Sequence, residues 1–300
     1  MTDRTKGYML GALSAASYGV NPFAVYMYDD GMSVDSVLFY RYAFAAVLLG
    51  GLMYARGESL RLSGKELLLL FVEGLIFSFS SITLFLAYQY IDVSIASTLL
   101  FCYPALVAII MMLFFKEKPS VITVAAIVLV GIGIALLNSG GDGSVDNVIG
   151  VLLVVSSSLA YAIYIVSVQK TALARMSSLK VGFYSILFGS LIYIVRLDMC
   201  TSLQWLPTMR SGICAVVLAV FPTIISLTAL AKSIKYIGST AAAILGALEP
   251  VTAVLIGVIV FGERPTPLAI LGMFIVFGAV TMLIAAPKIS AALAKRNEKS

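Results

Sequence analysis

Few side chains in this 300-residue chain could do chemistry, and those few stand inside apolar runs. Glu249 is the most costly of them. It precedes Pro250 in the middle of the run 238–261, and a charged carboxylate at the centre of a bilayer costs at least about 2.5–3.5 kcal/mol on insertion scales. Such a group must be protonated, paired or wet. It suits holding an ammonium group or carrying a proton, and the plainer alternative is a fixed hydrogen bond to a neighbouring helix. Ser14, Tyr18 and Asn21 are spaced i, i+4, i+7, and 143 residues later the same spacing returns as Ser157, Tyr161 and Tyr164. That spacing puts three side chains on one face of a helix. Facing lipid, such groups would be poorly satisfied. Both stripes are therefore expected to face the protein interior, either lining a cavity or bonding one helix to the next.

Pro104 and Pro250 each remove a backbone hydrogen bond from an apolar run, which frees the carbonyls of Leu100 and Gly246. Freed carbonyls at that depth are tolerated where they line a cavity or are re-satisfied by neighbours, so both prolines are candidate hinges. Tyr103 and Glu249 precede them at equivalent positions and break the symmetry chemically. Phe77, Phe79 and Phe101 fall at a similar depth. Arg41 and Glu73 lie about seven residues inside their runs, about 10 Å of helical rise. That is within snorkelling reach for Arg41 and less comfortable for Glu73. Arg41 is expected to be structural or to stand at a mouth.

Much chemistry is excluded by what the chain lacks. There is no histidine, the cysteines Cys102, Cys200 and Cys214 have no CxxC spacing, and no GxxxxGK[ST] loop occurs. No metal, cofactor or ATP site is expected. Hydrophobic residues make up 61% of the chain, charged ones 12%, and the mean hydropathy is +1.04, against about 45–50% apolar and about 25% charged in soluble domains. The solvent for this chain is lipid. Its net charge of +5 is an orientation signal rather than a nucleic-acid footprint.

Runs long enough to cross a membrane, about 20 residues each, fall at 7–27, 35–55, 67–90, 94–115, 120–138, 148–168, 180–197, 212–231, 238–261 and 267–286. With both termini cytoplasmic, sixteen Lys/Arg lie on that side and three, Arg196, Arg210 and Arg264, on the other. The first run resembles a signal peptide in place only, and its repeat partner at 148–168 marks it as a retained helix. Tyr90-Ile91, Pro104, Phe115, Glu117 and Pro119 recur 146 residues later as Tyr236-Ile237, Pro250, Phe261, Glu263 and Pro265, with nine identities in thirty ungapped positions. The chain is thus expected to be all-α and integral to the membrane, with ten transmembrane helices in two inverted five-helix repeats. Residues 1–138 form one repeat, 139–147 a loop, and 148–300 the other with a basic tail. An odd number of helices per unit inverts the second copy, the arrangement of secondary transporters.

The mid-run prolines, the motifs Phe115-Lys116-Glu117-Lys118-Pro119 and Phe261-Gly262-Glu263-Arg264-Pro265, and the glycines Gly131, Gly133, Gly272 and Gly278 resemble the EamA-type unit of the drug/metabolite transporter superfamily. Within it the chain is similar to bacterial exporters of amino acids, the aromatic amino acid exporters in particular. The resemblance implies a central cavity, efflux of small metabolites and an inner-membrane location. It also implies that Phe79, Phe101, Tyr103 and Tyr161 line that cavity. Tyr18, Asn21, Ser157, Tyr164 and Glu249 complete the expected substrate site. Glu117 and Glu263 are expected mainly to shape turns before the N-caps Ser120 and Thr266, with gating as a weaker role. The expected partners are an amino-acid-like small molecule and the bilayer, with no nucleic acid and no obligatory protein. Two alternatives stay open: export of lipophilic drugs or toxic metabolites, and an intramembrane enzyme. The latter would need Glu73 and Glu249 to converge on one atom, which their different depths oppose.

Overall fold

The computed structural model describes residues 2–24, 27–28, 30–91, 96, 99–117, 119–137, 148–260 and 266–297. Among these, every regular element is helical. Helix α1 (Asp3–Tyr18) starts at Thr2, whose hydroxyl accepts the Thr5 N–H, and stops short of Asn21-Pro22, where a 3-10 turn (Asn21–Ala24) replaces it. Next come α2 (Val34–Ala55), capped by Ser33, and α3 (Gly64–Ala87), opened by a reciprocal Ser63–Glu66 capping box. Then follow α4 (Tyr103–Phe115), α5 (Val121–Leu137) and α6 (Val148–Lys170). The second half continues with α7 (Ser178–Arg196), α8 (Met209–Ile237), α9 (Ser239–Val260) and α10 (Pro267–Asn297). Ser120 and Thr266 cap α5 and α10, accepting the N–H groups of Thr123 and Ala269 at 3.1 Å each.

Seven stretches among the described residues, α2, α3, α6, α7, α8, α9 and Pro267–Ile284 of α10, are long and apolar enough to cross a membrane. The other three expected spans are shorter: α1 has 16 residues, α4 has 13 and α5 has 17. Two of them have a visible cause. The Asn21-Pro22 turn cuts α1, and α4 begins at Tyr103 because Pro104 stands in its first turn, where the missing N–H costs nothing. The expected connecting loop 139–147, and Glu263 with its flanking Phe261 and Pro265, lie outside the described residues. Large apolar side chains such as Val47, Tyr54, Phe114, Ile259 and Phe274 are exposed on the outside of the bundle, as a lipid-facing surface requires.

Each half lends its first helix to the other, and the contacts repeat at the spacing of the sequence. A β-carbon on Gly7 of α1 would lie 2.6 Å from Ile237 and 2.7 Å from Tyr236, and one on Gly150 of α6 would lie 2.7 Å from Ile91 and 3.0 Å from Tyr90. Two turns deeper the Ser14 hydroxyl donates to the Ser226 carbonyl at 2.9 Å, and the Ser157 hydroxyl donates to the Ser80 carbonyl at 2.7 Å. Glycine lets the helix backbones approach closely, and each serine bond adds around 0.6 kcal/mol. The four α1 and α6 residues are related by 143 positions, and their partners, on or just after α3 and on α8, by 146.

Candidate functional site

Helix α9 breaks at Gly246–Ala247, between the helical segments Ser239–Leu245 and Leu248–Val260. The equivalent break in the first half is at Phe101–Cys102, just before α4. Pro104 and Pro250 therefore sit in the first turns of new helical segments instead of kinking continuous helices. The two carbonyls they free are handled differently. Leu100 O accepts the Ser158 hydroxyl of α6 at 3.0 Å. Gly246 O accepts the Glu249 N–H at 2.9 Å in a tight 3-10 step. At Gly246 the Tyr103 hydroxyl fills the space a side chain would take, 1.6 Å from where a β-carbon would stand. Only glycine admits Tyr103 there, so the two breaks are packed against each other.

Around this junction the aromatic rings form a continuous run. Phe101 and Tyr103 are 5.6 Å apart by centroid, Tyr103 and Tyr161 4.9 Å, Tyr161 and Tyr164 6.1 Å, and Tyr164 and Phe77 5.0 Å. On the far side, Gly19 at the end of α1 rests on the Glu249 backbone; its β-carbon would lie 2.7 Å from the Glu249 carbonyl oxygen. Tyr18 and Arg41 face the same place, with the guanidinium 5.6 Å from the Tyr18 ring centre. Tyr18, Tyr161 and Glu249 are only half-buried despite their places in the middle of the bundle. The Glu249 carboxylate has no hydrogen bond or ion pair among the described residues. Arg41 is near enough to act on it electrostatically without pairing.

The two fully buried charges among the described residues are occupied. Arg41, 1% exposed, donates from Nε to Thr223 Oγ1 at 2.7 Å, from Nη1 to Asn21 Oδ1 at 3.2 Å and from Nη2 to the Pro222 carbonyl at 3.3 Å. Its dock is a π-helical turn in α8, Val220–Ile225, forced by Pro222. The Leu218 carbonyl that Pro222 cannot reach accepts the Thr223 hydroxyl at 2.8 Å. Arg41 thus joins the Asn21–Ala24 turn, α2 and α8 and does not snorkel. Glu73, 1% exposed, accepts the Ser167 hydroxyl on both oxygens, at 2.7 and 2.6 Å.

The sequence-derived site is partly assembled. Tyr18, Asn21, Phe101, Tyr103, Tyr161, Tyr164 and Glu249 gather around the two breaks. Phe79 does not: it is 48% exposed on α3, between buried Ser78 and Ser80, so the position is a correction to its expected lining role. Ser14 and Ser157 are engaged across helix seams, and Asn21 is held by Arg41. Tyr164 is 1% exposed, a packed residue more than a lining one. Glu117 pairs with Lys170, which also lies 5.1 Å from the Phe115 ring centre; Lys116 with φ 57° ends α4. Ser158, Ser167 and Thr223 escaped the sequence reading. The overlooked signal was a second alignment at offset 144, matching Val37, Phe39, Tyr40 and Phe44 with Val181, Phe183, Tyr184 and Phe188. It sets Arg41 against Ser185, a second symmetry-breaking pair.

At one face of the bundle the loops are latched together. Asp30 accepts the Thr208 hydroxyl at 2.8 Å, Arg210 Nη2 at 2.6 Å and the Ser211 hydroxyl. These bonds, Ser211 first, hold its carboxyl down at about 2. Asp35 takes Arg196 in a two-pronged pair at 2.6 and 3.1 Å.

An apolar-coated helical bundle whose centre sets a carboxylate, unpaired among the described residues, beside aromatic rings is the build of a multi-pass membrane protein that handles small molecules. Known proteins agree. The model of the EamA-like transporter family matches twice, over residues 5–139 and 148–285. The chain is 23% identical over 253 residues to "Uncharacterized transporter YdfC" of Bacillus subtilis, covering 84% of this chain and 82% of that one. It is 28% identical over 209 residues to an "Uncharacterized transporter" of Archaeoglobus fulgidus, covering 68% and 72%. A solved crystal structure of another protein superposes with a TM-score of 0.79 over 92% of this chain and 97% of that one, at 16% identity, which shows a shared fold. The chain belongs to the EamA-like transporter family, and it is a multi-pass membrane transporter.

Proposed function

We propose that this transporter exports amino acids, neutral or aromatic ones, or closely related small metabolites, by alternating access. The observation that carries the reading is Glu249, a half-buried carboxylate without a partner among the described residues, set beside Tyr18, Tyr103 and Tyr161. A carboxylate kept unpaired at such depth suits the ammonium group of a ligand, and the rings suit an apolar side chain. A phosphorylated substrate fits poorly, because the one buried guanidinium among the described residues, Arg41, is already held by three acceptors.

In this reading residues 1–138 and 148–300 are two inverted five-helix units joined by 139–147, and α1, α4 and α5 cross the membrane together with the seven longer stretches. The reciprocal Gly7/Gly150 and Ser14/Ser157 contacts support two equivalent units. Pro104 and Pro250 begin the half-helices that hinge, and Glu117 and Glu263 have at most a secondary part in gating. The Lys/Arg distribution supports a reading with both termini in the cytoplasm and the protein in the inner membrane. Counterflow of labelled phenylalanine, methionine and threonine into liposomes preloaded with unlabelled amino acid tests the proposal. Transient accumulation is expected. Its absence in folded protein overturns the amino-acid reading, and competition by amphipathic cations alone would mark a drug or toxic-metabolite exporter.

A further inference from the structure

We propose that the groove between the start of α1 and the end of α8 is a binding site for one anionic phospholipid. The groove encloses about 720 Å³ and is lined by Lys6, Met9, Leu10 and Leu13 of α1 and by Lys232, Lys235 and Tyr236 of α8. Its polarity runs along the helices. The three lysines stand in the first turn of α1 and the last turns of α8, and the apolar floor runs inward through Met9 and Leu13, which are 58% and 49% exposed. From Lys6 to Leu13 is seven residues, about 10 Å of rise, the direction an acyl chain takes below a headgroup.

The cation side is in excess. Asp3 is the acid close by, 3.2 Å from Lys6 Nζ. Lys235 donates to the Met176 carbonyl, and Lys232 is exposed with no polar partner among the described residues. Two ammonium groups can thus turn to a phosphate without breaking a buried bond. The pseudo-equivalent groove of the other half provides the contrast. At the 143 and 146 offsets Lys6, Lys232 and Lys235 become Ile149, Leu86 and Gln89, while Tyr236 remains tyrosine as Tyr90. The aromatic is kept by the helix seam, and the lysines occur on one side alone, where they meet at the membrane surface. The groove also spans the seam at which Gly7 meets Tyr236 and Ile237, so the lipid would lie across the joint between the two halves.

Native mass spectrometry of the purified protein, titrated with phosphatidylglycerol and with phosphatidylcholine, tests the site. One phosphatidylglycerol should be retained in preference to phosphatidylcholine. Lys6→Gln and Lys232→Gln should each weaken it roughly fivefold. Leu13→Trp, which fills the floor and leaves the lysines, should abolish the preference, with an unchanged melting temperature in phosphatidylcholine showing that each variant is folded. Equal retention of both lipids, or a preference untouched by the double lysine variant, overturns the proposal. Displacement by excess inorganic phosphate also overturns it, because the site would then read the anion without the chain.

Discussion

The two halves keep the same seams and differ in what they hang on them. Ser14 meets Ser226 as Ser157 meets Ser80, and Gly7 meets Ile237 as Gly150 meets Ile91. Elsewhere the equivalence fails. Tyr103 of the first half stands where the second has Glu249; Ser158, which satisfies Leu100, corresponds to Ala15; Glu73 with Ser167 corresponds to Ala219 with Ala24; Arg41 corresponds to Ser185. Contacts that fix how helices approach are symmetric because both halves must fit one another the same way. Groups that meet a ligand need not be: the proposed amino-acid substrate is itself asymmetric, with an ammonium at one place and an apolar chain at another. Arg41 and Glu73, which have protein partners, hold helices together, whereas half-buried Glu249 has none among the described residues and is, in the proposed reading, the group left for the substrate.

The largest effect that would sharpen this contrast comes from the charges. Glu249→Gln should lower substrate affinity by about 10- to 150-fold, the worth of about 1.5–3 kcal/mol for a hydrogen bond to a charged group, whereas Glu73→Gln, which keeps a group for Ser167, should leave substrate affinity close to wild type. Competition binding on the two variants side by side checks both. Next is the junction of the breaks. Gly246→Ala drives a β-carbon into the Tyr103 hydroxyl and should destabilise the protein by about 1–3 kcal/mol, as overpacking does. Tyr103→Phe in the same chain should recover part of that loss in a thermal melt.

Smaller effects probe the symmetric part. Ser14→Ala and Ser157→Ala should each cost around 0.6 kcal/mol and, above all, cost alike; unequal losses in unfolding titrations would break the equivalence of the seams. The smallest concerns the latched face. Asp30 is held at about 2 against an ordinary 3.8 by Ser211, Thr208 and Arg210. A carboxyl lowered in the folded state contributes stability above about pH 4. That contribution is lost as the pH falls from about 4 through about 2. Melting temperatures across that range should fall less steeply for Asp30→Asn, by a small margin because the pair is near solvent.

Much of the architecture was legible because repeated punctuation survives in the residues that turn and break helices. Tyr90-Ile91 and Tyr236-Ile237 are conspicuous in sequence for the reason they matter in space: each is the seat of a glycine from the other half. The Leu100 and Gly246 carbonyls were foreseen from the prolines alone. Their partners were not, since nothing along the chain connects Ser158 to Leu100. The π turn at Pro222 was hidden too, because proline, threonine and a distant arginine make it together. Phe79 shows the limit of reading depth without rotation: it has the right height on α3 and the wrong side.

The measurement that bears most directly on the central claim is counterflow inhibition by three analogues in proteoliposomes: phenylalanine, phenethylamine, which lacks the carboxylate, and 3-phenylpropionate, which lacks the ammonium. With Glu249 as the substrate anchor, phenylalanine and phenethylamine inhibit the wild type, 3-phenylpropionate does not, and Glu249→Gln loses the discrimination. Equal inhibition by all three, or a Glu249→Gln protein that transports and discriminates as the wild type does, would contradict the account.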